Sequence, residues 1–117
     1  MPHIILEHSD NIHDNIDIKN FLKQAIDTFI AASPTPTRAF KARRIVSKEY
    51  YLGDGNEDNF FIHLSVNLLT GREKHILEKI AKDLKEFMHK SFPKSDKISE
   101  KSFSLEIREM DRNFYQH

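Results

Sequence analysis

Apolar residues in this chain switch between two periods, and they do so twice in the same order. Phe60, Ile62, Leu64, Val66 and Leu68 alternate with Phe61, His63, Ser65 and Asn67, the two-residue period of a strand with one buried face. Behind them Ile76, Leu77, Ile80, Ala81, Leu84, Phe87 and Met88 recur three and four apart, the period of an amphipathic helix. The first half runs through the same sequence of events. A short apolar run at residues 3–8 precedes Ile18, Phe21, Leu22, Ala25, Ile26, Phe29 and Ile30, which form one stripe on a helix over residues 15–32. About 14 residues separate the start of each strand from the start of its helix, counted from Pro2 and from Asn59, so the chain carries a weak internal duplication. Two strand–helix units cannot close as a helical bundle or a β-sandwich; they need a sheet with helices laid on it.

Punctuation residues complete the pattern. Asp14 or Asp17 is placed to cap the first helix, and Ser33-Pro34-Thr35-Pro36 stops it. Residues 39–50 alternate Phe40, Ala42, Arg44 and Val46 against Lys41, Arg43, Ile45 and Ser47, a second strand, and Gly53-Asp54-Gly55-Asn56 then reverses the chain. Thr70-Gly71-Arg72-Glu73 has the form of a capping box for the second helix, with Glu78–Lys82 and Glu86–Lys90 pairs on its wet face and Phe92-Pro93 at its end. After a polar loop at residues 94–101, Phe103, Leu105 and Ile107 mark a last strand. The predicted order is β-α-β-β-α-β, an α+β fold of two fused β-α-β units. Right-handed crossovers would put both helices on one face of a four-stranded sheet. The other face would carry His63, Ser65, Asn67, Glu106 and Arg108. All 117 residues form a single domain, since one core serves chains of about 100–150 residues.

Composition excludes several classes of function. Lysine plus arginine equals aspartate plus glutamate, 18 against 18, so bulk electrostatics offers nothing to a phosphate backbone and no nucleic-acid partner is expected. Three glycines, Gly53, Gly55 and Gly71, build neither a phosphate loop nor a dinucleotide fingerprint, so no cofactor is expected. No apolar run approaches the ~20 residues of a membrane span, and no basic stretch leads into a long greasy run, so neither a membrane segment nor a secretory signal is expected. The absence of cysteine removes thiol chemistry and disulfides and fits a reducing cytoplasm. His3, Glu7, His8, His13 and Asp14 are close in sequence but show no recognised ligand spacing, so no metal site is expected.

Three features bear on chemistry. Pro2 follows the initiator methionine, which aminopeptidases remove before small residues. Its nitrogen would then be a free secondary amine, titrating near neutrality and driven lower by burial or nearby cations. A neutral amine serves as a general base; otherwise Pro2 is merely the second residue of the chain. Arg72 directly follows the third predicted strand, and antiparallel pairing of strands one and three would bring it beside Pro2. In the first turn of the second helix it would grip a carboxylate with two parallel hydrogen bonds, or else stand as an ordinary exposed arginine. Arg38, Lys41, Arg43, Arg44 and Lys48 form a basic cluster in which Lys41 and Arg43 share a strand face. They read either as a second anion clamp or as a solvated strand edge.

Across nearly the whole chain, in order, these residues resemble the 5-carboxymethyl-2-hydroxymuconate isomerase family of the tautomerase superfamily. The resemblance rests on Pro-His-Ile-Ile-Leu-Glu-His-Ser-Asp-Asn-Ile at residues 2–12, Asp54-Gly55 through Phe61-Ile62-His63-Leu64 to Thr70-Gly71-Arg72, and Phe103-Ser104-Leu105-Glu106-Ile107 with Asn113-Phe114. It implies a cytoplasmic homotrimer acting in the breakdown of aromatic compounds. Without a cofactor, it would interconvert enol and keto forms of an unsaturated 2-hydroxy (2-oxo) polycarboxylate. It also implies that Pro2 is the base and that Arg72 binds a substrate carboxylate. The family's other arginine, on strand two and facing a neighbouring protomer's site, aligns at Lys41, and Arg43 matches the arginine two residues on. Lysine keeps the charge and loses the two-pronged grip. Related decarboxylases and hydratases of the superfamily use the same amine differently, and an inactive trimeric binding protein is the non-enzymatic alternative.

Overall fold

A computed structural model describes residues 1–117. Its four strands are β1 (His3–Ser9), β2 (Lys41–Ser47), β3 (Ile62–Leu69) and β4 (Phe103–Met110), and its helices are α1 (Ile18–Ala32), α2 (Lys74–Ser91) and the short α3 (Pro93–Ile98). They form one mixed sheet in the order β2-β1-β3-β4. Each half contributes a parallel pair, β1 with β2 and β3 with β4, and the halves join through antiparallel β1 and β3. This is the expected β-α-β-β-α-β arrangement.

The core lies between the sheet and the two long helices. Ile4, Leu6, Ile62, Leu64, Val66 and Leu68 point from the central strands into it, and Phe21, Ala25, Phe29, Ile80, Leu84 and Met88 meet them from α1 and α2. Ile18, Leu22, Ile26 and Ile76 flank this seam half-buried. Aromatic rings lock the ends: Phe21 stacks on Phe87 at 5.1 Å, and Phe29 meets Phe40 edge-on at 4.9 Å. Buried side chains of this size each stabilise the fold by about 1.5–3 kcal/mol. The helix-free face presents His3, Glu7, Lys41, Arg43, His63, Ser65, Asn67, Glu106 and Arg108, as the alternation requires.

Element ends differ from expectation for local reasons. Asp17 caps α1, its carboxylate accepting from the Asn20 amide at 3.2 Å. Asp14, the other candidate, receives the Lys94 and Ser95 amides at 2.9 and 2.8 Å and so caps α3, the helix that replaces the expected polar loop together with a single turn at Glu100–Ser102. β2 is shorter than 39–50 because its partner β1 ends at Ser9, opposite Ser47. The capping box does not form: the Thr70 amide donates to the Met110 carbonyl at 3.2 Å, still sheet pairing, and Glu73 is the N-cap without a side-chain bond to the helix. Arg72 therefore precedes α2 rather than lying in its first turn. The i,i+4 ion pairs that form are Lys23–Asp27 and Lys79–Asp83, not Glu78–Lys82 or Glu86–Lys90, and exposed pairs of this kind contribute little.

His8 sits on the helix side of β1, its ring buried, with Nδ1 at 2.7 Å from the Ser9 carbonyl and Nε2 buried without a partner. Donation from Nδ1–H leaves Nε2 as the bare nitrogen, and burial lowers the ring's pKa from 6.5. The unfolded chain takes up a proton near that pH while the folded chain resists it. Thermal stability should therefore fall as pH drops below 6.5, and His8→Leu should flatten the slope; a wild-type melting temperature equal at pH 7.5 and pH 5 contradicts this.

Candidate active site

The antiparallel register of β1 and β3, with His3 opposite Asn67, places the start of the chain beside the end of β3 and the bend that follows. Pro2 is buried there, and its carbonyl accepts the Lys41 amide at 3.0 Å, which fixes the first residue of β2 alongside it. Arg72 emerges from the bend half-buried. Its Nε–H donates to Ser33 Oγ at 2.8 Å and its Nη2 to Thr35 Oγ1 at 3.1 Å, while the guanidinium carbon lies 5.3 Å from the centre of the Phe29 ring. Side-chain entropy is thus already lost, and the Nη1 amino group remains without a protein acceptor.

The local field is positive. Burial lowers the pKa of the chain's terminal amine, carried by Met1, from 8.0, and the charges of Arg72, Arg112 and Lys41 act in the same direction. Burial, and then Arg112, also lowers the pKa of Arg72. None of these cations forms an ion pair: the chain's five salt bridges all lie elsewhere.

Of the residues singled out in the sequence, Pro2, Arg72 and Lys41 come together. Arg43, on the same helix-free face as Lys41, is turned to His3, donating from Nη1 to His3 Nδ1 at 3.2 Å and to the Lys41 carbonyl at 3.3 Å. Since arginine only donates, His3 accepts at Nδ1, and its Nε2–H is directed to the Tyr115 hydroxyl at 3.0 Å. The expectation that Arg72 shares the helix terminus is corrected, because α2 begins at Lys74 and Arg72 is aimed by hydroxyls instead. The histidines and acids near the N-terminus are dispersed: His8 faces the core, His3 and Glu7 face the opposite way, His13 packs on Phe60, and Asp14 caps α3.

Residue patterns missed Ser33 and Thr35, which served only as a helix stop, and Arg112 and Tyr115, which belong to the short tail. The parallel register Leu69↔Met110 brings that tail back to the bend, and nothing local in the sequence announces it.

The model of the 5-carboxymethyl-2-hydroxymuconate isomerase family matches residues 2–117. The chain belongs to that family. It is therefore an isomerase, of the tautomerase type. It is 24% identical over 110 residues to the 5-carboxymethyl-2-hydroxymuconate Delta-isomerase of Escherichia coli, covering 94% of this chain and 87% of that one. A crystal structure of a 5-carboxymethyl-2-hydroxymuconate isomerase from Deinococcus radiodurans R1 superposes with a TM-score of 0.83 at 24% identity, over 99% of this chain and 87% of that one. A fused 4-OT described as a wild-type symmetric trimer shares the fold with a TM-score of 0.78 at 13% identity, over 98% of this chain and 90% of that one.

The cationic surroundings make a definite claim about the amine. Followed by NMR of the isotopically methylated terminus, it should titrate below 8.0, and Arg72→Ala should move its pKa upward. No movement in the variant would mean that the two groups are not electrostatically coupled.

Proposed function

We propose that the chain, trimmed of Met1, isomerises an unsaturated 2-hydroxy (2-oxo) polycarboxylate such as 5-carboxymethyl-2-hydroxymuconate, with the Pro2 nitrogen as base. The observation that carries this reading is the convergence of Arg72 and Lys41, neither paired with a carboxylate, on the start of the chain, where Pro2 is buried and its carbonyl accepts the Lys41 amide. A neutral amine accepts a proton near neutral pH, and neighbouring cations attract the carboxylates of the substrate while keeping the base uncharged.

In the proposed reaction the Pro2 nitrogen takes the proton from the 2-hydroxyl of the dienol. The oxygen's electrons become the carbonyl π bond, and the displaced π electrons shift along the conjugated chain. The terminal carbon of that system then takes the proton back from the prolinium. Atoms and electrons balance without a cofactor, since one O–H bond is exchanged for one C–H bond. Arg72 binds the carboxylate beside the reacting oxygen through its free Nη1 group and steadies the charge that develops there. Lys41, supported by Arg43 along the same strand, supplies charge for a carboxylate further along. The working form is a homotrimer, like the fused 4-OT that shares the fold, acting in the catabolism of aromatic compounds. On a single protomer the larger clefts, of about 410 and 450 Å³, lie between α1 and α2, away from Pro2, which suits a site walled by a neighbour.

Ultraviolet decay of 2-hydroxymuconate-type dienols tests the reading. Intact mass should show Pro2 as the first residue of the active species, and an N-terminal extension should abolish turnover. Arg72→Ala should lower kcat/KM by about 10²–10³, the loss typical of one preorganised donor. Activity should fall on the acid side as the Pro2 amine becomes protonated, and the acid limb of kcat/KM should move to higher pH in Arg72→Ala, where a neighbouring cation is lost. Full activity with Met1 retained would overturn the mechanism.

A further inference from the structure

The residues after β4 do not trail into solvent. The Asp111 carboxylate accepts the Asn113 amide at 2.8 Å, and the Asp111 carbonyl receives the amides of Phe114 and Tyr115, each at 3.0 Å, so the tail closes into a turn. That turn carries Arg112 back to the bend between β3 and α2, where its Nε–H donates to the Thr70 carbonyl at 2.9 Å. Gly71 makes room for it. With φ at +131° that residue is in a region other side chains rarely adopt, and a Cβ there would stand 3.3 Å from Arg112 Nη2.

This arrangement leaves the fork of Arg112 unspent. Only Nε is engaged, the residue is exposed, and no carboxylate lies within ion-pair distance of it. Two arginines thus meet at one bend, each anchored at Nε by a neutral oxygen, with Nη1 of Arg72 and both Nη groups of Arg112 free. Like charges gathered without counterions are unfavourable unless an anion joins them. One carboxylate satisfies one guanidinium fork, so two forks call for two carboxylates. We infer that Arg112, folded back onto the Thr70–Gly71–Arg72 bend, is a second substrate-binding arginine that grips a carboxylate distal to the one held by Arg72, so that this chain selects dicarboxylates over monocarboxylates. The inference rests on the proposed reaction and adds a specificity residue to it. Arg112 supplies within the protomer the forked grip that lysine at position 41 does not.

Two inert ligands separate this assignment from turnover. trans,trans-Muconate and sorbate share a six-carbon diene and differ in the second carboxylate, and titration calorimetry on the native assembly measures both. Muconate should bind the wild-type protein more tightly than sorbate. Arg112→Ala should weaken muconate by about ten- to a hundredfold, the usual loss for a charged hydrogen bond, and sorbate by less than about threefold. Arg112→Lys should restore part of the muconate affinity, and unchanged melting temperatures in both variants establish that the fold persists. Equal loss for the two ligands, or no loss for either, overturns the assignment. A wild-type protein that binds muconate through Arg112 but isomerises no dienol would overturn the proposed reaction instead and leave the dicarboxylate site standing.

Discussion

Antiparallel pairing of β1 with β3 is the interaction on which the rest of this molecule depends. Each β-α-β half has a parallel strand pair and one long amphipathic helix, and the single core that buries Phe29 and Leu84 draws on both halves. The six-residue register from His3↔Asn67 to His8↔Ile62 makes one sheet of the two halves. It brings Ile4, Leu6, Leu64 and Val66 together under both helices. The same register sets the first residues of the chain beside the bend that carries Arg72. A slip of one residue would reverse every side chain on β1 and bury His3 and Glu7 in place of Ile4 and Leu6, so the hydrophobic core itself holds the site in alignment.

Electrostatics at that junction runs against the usual economy of a protein surface. The chain is neutral overall, with 18 basic and 18 acidic side chains, yet Arg72, Arg112 and Lys41 act together on the terminal amine with no acidic side chain paired to them. The cations that lower the pKa of the terminal amine therefore also leave unengaged donors beside it. Hydroxyls rather than carboxylates aim Arg72, which orients the guanidinium without cancelling its charge.

Much of the fold was legible because both signals are local. The strand period over residues 60–68 and the helical stripe from Ile76 to Met88 need only neighbouring residues to express them, and both elements lie where the pattern puts them. Boundaries were less legible because distant partners set them. β2 stops where β1 stops, Asp14 caps a helix some eighty residues away, and Thr70 is retained by the Met110 carbonyl instead of capping α2. At the candidate site, the placement of Pro2 and Arg72 at neighbouring strand ends was legible from the strand order. Ser33, Thr35, Arg112 and Tyr115 were not, since each acts on a residue at least 37 positions away.

By itself, then, the sequence determined the order of strands and helices, the faces that must be buried and the meeting of the chain's start with the bend that carries Arg72, because these follow from short-range periodicity and from strand-end position. Tertiary structure alone decided which hydroxyls aim Arg72, that Arg43 turns to His3 and that the tail returns Arg112 to the bend. Those contacts depend on the register between strands far apart in the chain, and register is a property of the assembled core rather than of any segment within it.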